Sequence, residues 1–201
     1  MNHSNCINHS LRATVLFILF SFFTVSSFGQ SSFSSNGAVK TTIVGTSNIH
    51  DWEMVSDKGN CTMTFQQDGT GVITGISNVN FSMMVNTLKS SHGSSMDNNA
   101  YKAMAADKYP NIRFVSTTGT IKANGGNSYT LTVPGKLTIS SGIKDVTLTA
   151  TCKVNADKSV SVSGSYKLNT NDYNVKPISI MLGAIKTSPD VTINFSMNVK
   201  P

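Results

Sequence analysis

Residues 88–114 read LKSSHGSSMDNNAYKAMAADKYPNIRF, a helix pattern wedged between strand patterns. Asp97 is placed to cap its start, and Ala100, Tyr101, Met104 and Ala105 recur at spacings of three and four, on one helical face. Tyr109 precedes Pro110, which pushes it out of the helical region, so the helix is expected to stop there. Ile112 and Phe114 then alternate with Arg113 and Val115 as a strand begins. Nearly everything else after residue 38 reads as β. One helix inserted into a long β meander predicts a barrel with one end covered, and a covered barrel can hold a ligand.

The β pattern is clearest in the C-terminal half. Val146, Leu148, Ala150, Cys152 and Val154 share one face, as do Val160, Val162, Gly164, Tyr166 and Leu168 after the turn at Asn155–Lys158. Val191, Ile193, Phe195, Met197 and Val199 alternate with Thr192, Asn194, Ser196, Asn198 and Lys200. One dry face and one wet face mark antiparallel sheet. Cys61, Met63 and Phe65, and then Val79, Phe81, Met83 and Val85, repeat the pattern earlier, while Pro134-Gly135 marks a bulge or bend between Leu131 and Ile139. Short turns join about eight or nine strands, and closing so long a sheet removes its edges. The expected class is therefore all-β, a single antiparallel barrel of about eight strands with one short inserted helix; the pattern alone leaves open whether it holds a ligand cavity or is a filled barrel or sandwich.

The chain begins with a different kind of segment. Arg12 precedes an apolar run, ATVLFILFSFFTV, and Ser27-Phe28-Gly29 is a small-x-small site. This is the pattern of a cleaved secretory signal over residues 1–29, and the run falls short of the roughly 20 apolar residues of a membrane span. It predicts export, with a periplasmic or secreted location. Residues 30–38, rich in serine, read as a flexible lead-in, and residues 39–201 as the barrel domain. About 170 residues suffice for one domain with a real core.

The chain carries a formal charge of +6, and the signal takes only Arg12 from it. The basic residues are scattered singly, unlike the clustered patch of a nucleic-acid binder. Their excess suits an anionic head group or peripheral contact with an anionic membrane surface. Cys61 and Cys152 follow the signal, and two readings stay open for them: one disulfide between neighbouring strands, or two buried free thiols. After the signal the histidines are His50 and His92 and the glutamate is Glu53. His50 and Asp51 are adjacent, so on a strand they point to opposite faces and form no dyad. Two histidines without a third ligand make no metal site. No catalytic or metal-binding residue is assigned, and no cofactor is required.

Three landmarks, in order, resemble the YceI-like family of lipocalin-like exported proteins associated with polyisoprenoid binding. They are Gly45-Thr46-Ser47-Asn48-Ile49-His50-Asp51-Trp52, then Met96–Tyr101 with Lys108–Phe114, and then Gly135–Val146. The resemblance covers roughly residues 39–199. Two departures stand out: Thr87-Leu88-Lys89 replaces the more usual His-Leu-Lys, with His92 displaced downstream, and Ala100-Tyr101 replaces paired phenylalanines. The resemblance implies a barrel around an elongated apolar cavity. It also implies an isoprenoid guest, such as a quinone tail or polyprenyl phosphate.

Strand parity supplies the expected lining: Met63, Phe65, Phe81, Met83, Val85, Phe114, Leu131, Leu148 and Phe195, with Tyr101 and Met104 of the helix walling one end. Lys89, His92, Lys102 and Arg113 lie near the insert and are the candidates for head-group contact. The competing expectation is a filled barrel that serves as a structural or interaction module in the envelope.

Overall fold

The protein is described by a computed structural model covering residues 29–68, 70 and 72–201. The signal expected over residues 1–29 lies outside these residues except for Gly29. Eight long strands make the barrel: β2 (Val39–Ser47), β3 (Trp52–Gln67), β4 (Ile73–Met84), β6 (Asn111–Gly125), β7 (Ser128–Ile139), β8 (Gly142–Val154), β9 (Val160–Asn169) and β11 (Ile185–Val199). Three short strands join them, β1 (Gly29–Ser34), β5 (Lys89–Ser90) and β10 (Ser179–Ile180), together with the helix α1 (Ser94–Ala103). The order around the barrel is β3-β2-β11-β9-β8-β7-β6-β4, and β4 returns to β3, so the sheet closes. Every pairing is antiparallel. The fold is the expected all-β, lipocalin-like barrel.

The alternation read from sequence becomes inside and outside. Phe65, Met63 and Cys61 of β3 are buried while Thr62 and Thr64 between them are not. Ile112 and Phe114 face in, and Arg113 and Val115 face out. The irregularity expected at Pro134-Gly135 falls on one side only. β7 pairs with β8 in continuous register through both residues, whereas the β6–β7 register shifts between Val115 and Thr120. Proline lacks the ladder N–H on that side, and the Ser116 hydroxyl bridges the gap, with the Pro134 and Thr118 carbonyls both within reach of its one proton.

Residues 30–34 of the segment expected as a flexible lead-in are part of the sheet, and 35–38 form the turn into β2. β1 pairs with the far half of β3, from Gly29 opposite Gln67 to Ser34 opposite Thr62. Phe33 holds it there, buried and edge-on to Phe65 with ring centroids 5.1 Å apart. One phenylalanine among serines is a weak periodic signal, yet its burial fixes the strand.

Antiparallel order sends every second connection to the same end. The β2–β3 loop, the insert between β4 and β6, the β7–β8 turn and the long β9–β11 connection all meet there. The helix therefore covers one end, as expected, though its own ends differ from the pattern. Gly93 (φ 86°) stands at the N-cap, and Asp97 lies inside the first turn. At the other end Ala105 turns left-handed (φ 49°), with Ala106 N–H donating to the Tyr101 carbonyl and Ala105 N–H to that of Lys102. That paired closure ends the helix at Ala103, well before Tyr109.

Candidate functional site

Among the described residues, two small apolar voids lie in the barrel interior. The first, about 100 Å³, lies among Met63, Phe81, Met83, Phe114, Leu131, Leu148 and Phe195 of the expected lining, along with Ile43, Ile112, Tyr166, Ile193 and Met197. The second, about 90 Å³, lies toward the helix. Met96, Ala100, Ala103 and Met104 of the insert wall it, opposite Tyr173, Val175 and Ile178 of the β9–β11 connection. Ile43, Ile112 and Ile193 line both. Phe81, Leu148, Ile193, Phe195 and Met197 are only half-buried although they point inward, because the void leaves part of each side chain without a neighbour.

Three residues of the expected lining sit elsewhere. Phe65 is fully buried against Phe33 at the β1 side and lines neither void. Val85 is fully buried in the turn after β4 and also lines neither. Tyr101 is a tie rather than a wall. Its hydroxyl is 2.6 Å from the Leu88 carbonyl and 3.0 Å from that of Asn86, and accepts from Lys89 Nζ at 2.9 Å.

The four candidate cations do not converge. Lys89 is committed to Tyr101 and to Asp97, whose Oδ2 is 3.4 Å away. The hydrogen bond to Tyr101 is the largest cause that holds its ammonium above the usual lysine range. His92 stacks on His50, with rings nearly parallel and 4.8 Å apart. Lys102 is exposed on the helix, and Arg113 points outward from β6. Asp97 turns the other oxygen inward and accepts the Ser90 N–H at 2.7 Å, although it is almost fully buried.

A wider concavity, about 880 Å³, is an open groove outside the barrel. It is bordered by Asp51, Glu53, His92, Lys167 and Asp190 around Trp52. Trp52 lies flat over Gly45, where an added Cβ would come within 2.3 Å of the indole, and donates its N–H to the Thr46 carbonyl at 3.1 Å. The indole is thus a rim residue with its polar atom satisfied. His50 Nδ1 donates to the Asp51 carbonyl at 2.7 Å, so the pair is a turn and not a dyad. Among the described residues no group of three or more His, Cys, Asp or Glu could hold a metal.

Cys61 and Cys152 are both buried and free. They sit on β3 and β8, which are not neighbours, so the disulfide reading falls and the two-thiol reading stands. Burial pushes the Cys61 thiol up to about 12 and that of Cys152 up to about 11.

Sequence reading missed the β9–β11 wall of the second void. Tyr173, Val175 and Ile178 sit in a stretch broken by Asn174, Lys176 and Pro177, where neither period 2 nor period 3.6 persists. Aromatic and β-branched residues inside a turn-rich segment were the available signal.

The fold is shared with solved structures. BcnA of Burkholderia cenocepacia matches at 22% identity and TM-score 0.59, over 81% of this chain and 96% of that one. A polyisoprenoid binding domain from Saccharophagus degradans, implicated in plant cell wall breakdown, matches at 9% identity and TM-score 0.60, over 86% and 99%. No curated protein matches the chain in sequence. The family model for the YceI-like domain matches residues 50–199, three quarters of the sequence and nearly all of the barrel. The chain belongs to the YceI-like family.

Proposed function

We propose that this protein is a non-catalytic binder that sequesters or carries an isoprenoid-type lipid, such as a polyprenyl phosphate or a quinone tail, in the barrel interior. Export to the periplasm or beyond is part of the same proposal. The observation that carries it is the interior itself: apolar voids in series along a closed barrel, with inward side chains left half-covered. Each buried CH₂ of a guest would recover about 0.8 kcal/mol. The Saccharophagus neighbour, named for polyisoprenoid binding, supports the class of guest by analogy of fold.

The voids are small. Ligand sites usually measure about 300–1,000 Å³, so a guest needs the interior to rearrange. Met63, Met83 and Met197 face the first void and can turn aside with little strain. The same small volume supports the second reading, a filled barrel that acts as an interaction module. Native mass spectrometry of protein purified from its own envelope, with lipid extraction of what co-purifies, separates the two. A stoichiometric isoprenoid is the expected result. An empty protein that also fails to take up added quinone or polyprenyl phosphate would leave the module.

A further inference from the structure

The β9–β11 connection ends in the turn of the β10–β11 hairpin, where Ile180 pairs with Ile185 and the Ala184 N–H donates to the Met181 carbonyl at 3.1 Å. Met181 (φ 51°), Leu182 (φ 54°) and Gly183 (φ 93°) are left-handed in succession, a conformation that disfavours the first two side chains. Those side chains gain nothing in return. Met181 is 72% exposed and Leu182 fully exposed, and neither belongs to the core. The hairpin accounts for the backbone but not for two large apolar side chains where glycine or asparagine would serve, and their exposure calls for a partner outside the chain.

The neighbouring loop adds a third apolar residue. Asn48 clamps it to the connection: its side chain donates to the Ala184 carbonyl at 2.8 Å and accepts the Lys186 N–H at 2.9 Å, while its own N–H donates to the Lys186 carbonyl at 3.1 Å. The next residue, Ile49, is 58% exposed. Three large apolar side chains therefore project from two loops locked together.

Charge decides what this tip fits. Between Asp172 and Asp190 the chain has Lys176 and Lys186 and no acidic residue, so the stretch that carries the tip is basic. Both lysines are exposed, and the Lys186 ammonium lies beside the turn, 4.0 Å from where a Gly183 Cβ would stand. The clamped loop adds His50 and Asp51 at its far side. Apolar side chains flanked by lysines match the interface of an anionic bilayer, with the aliphatic chains among the acyl tails and ammonium groups at the phosphates. Lys176, Pro177 and Ile178, just before the tip, also line the second void.

We infer that Ile49, Met181 and Leu182, flanked by Lys176 and Lys186, form a docking tip for an anionic lipid bilayer, and that it sets the helix-covered end of the barrel against the membrane. The value of this to the protein rests on the lipid-binding reading, since a guest that lives in a bilayer would be exchanged at that end. The docking itself does not.

The test uses protein expressed from the full sequence with Cys6→Ser, so that anything residues 1–28 contribute is common to all variants. A polarity-sensitive fluorophore is attached at Ala184→Cys on the tip or at Asn124→Cys at the opposite end. Cys61 and Cys152, buried with raised pKa, stay unlabelled. The probes are vesicles of phosphatidylcholine alone or mixed equally with phosphatidylglycerol. A blue shift at position 184 and none at 124, with the mixed vesicles only and weakened by salt, is the expected result. Met181→Asn with Leu182→Asn keeps the turn, because asparagine tolerates the left-handed region, and should lower partitioning at least tenfold. Lys176→Gln or Lys186→Gln should each lower it about fivefold.

Equal shifts at both ends, no shift at 184, or an unchanged partition in the asparagine variant overturns the inference. A concentration-dependent dimer abolished by the same variant, without vesicle binding, overturns it in favour of a second copy. Quinone uptake measured without vesicles keeps the two proposals apart. If uptake persists while vesicle binding is absent, the docking tip fails and the carrier stands. If vesicle binding follows the expected pattern without uptake, the tip stands and the carrier fails.

Discussion

Gly142 begins β8 with the backbone of Tyr173 lying directly over it; an added Cβ would sit 2.3 Å from the Tyr173 Cα and 2.8 Å from its carbonyl oxygen. Backbone cannot step aside as a flexible side chain does. Gly142→Ala must therefore push the β9–β11 connection outward and open the second void, which Tyr173 walls. The expected cost is about 1–3 kcal/mol in urea unfolding, with a folded barrel retained. The thiols make a second residue-scale prediction. Cys61 and Cys152 are raised from 9.0 to about 12 and about 11 by burial, so the folded state keeps protons that the unfolded state releases. Their contribution is complete below pH 9.0 and is lost as pH rises through about 11 and 12. The urea midpoint of wild type should fall across that range, and Cys61→Ala with Cys152→Ala should flatten the slope. Tyr173, pushed up to about 12 mainly by burial, leaves a residual slope of the same sign. Inward parity of Met63, Phe114 and Leu131 was legible because period 2 is local. The need for glycine at 142 was not, since Tyr173 is distant in sequence.

At the scale of elements, α1 is fastened by one carboxylate. The sequence suggested Asp97 as a helix cap; its structural task is to join helix to sheet, by accepting the β5 Ser90 N–H and meeting Lys89. Asp97→Ala leaves a partly buried N–H unpaired and should cost about 2 kcal/mol, the scale of a hydrogen bond to a charged group. Hydrogen exchange should then show the amides of Ser94–Ala103 opening below the global unfolding energy, while β7 and β8 keep their protection. Uniform loss of protection would show instead that the helix is integral to barrel folding. The helix itself was legible from Ala100, Tyr101 and Met104, but its limits were not. Gly93 and the left-handed Ala105 set them through backbone geometry that any residue list underdetermines. β1 escaped for the opposite reason: its sequence is serine-rich, and it holds because β3 overruns β2 and offers an open edge.

For the whole molecule, barrel closure was legible because each strand carries its own alternation and turns follow at short intervals. Site geometry was not legible, because it depends on where the strands end. Lys89, His92, Lys102 and Arg113 are close in sequence, yet a salt bridge, a stacked ring, the helix surface and the outer face of β6 disperse them. The interior is continuous in principle but divided in fact, with Ile43, Ile112 and Ile193 standing between two voids. Ile112 is almost fully buried, so Ile112→Ala should cost about 2–5 kcal/mol from lost contacts and residual cavity. A carrier must spend free energy displacing such side chains to admit a guest, and the truncation spends it in advance. Affinity for an isoprenoid quinone, followed by quenching of Trp52 at the rim, should therefore rise as stability falls. The bound guest should restore more of the melting temperature to the variant than it adds to wild type. A filled module predicts the reverse: the variant loses stability, and no concentration of quinone recovers it.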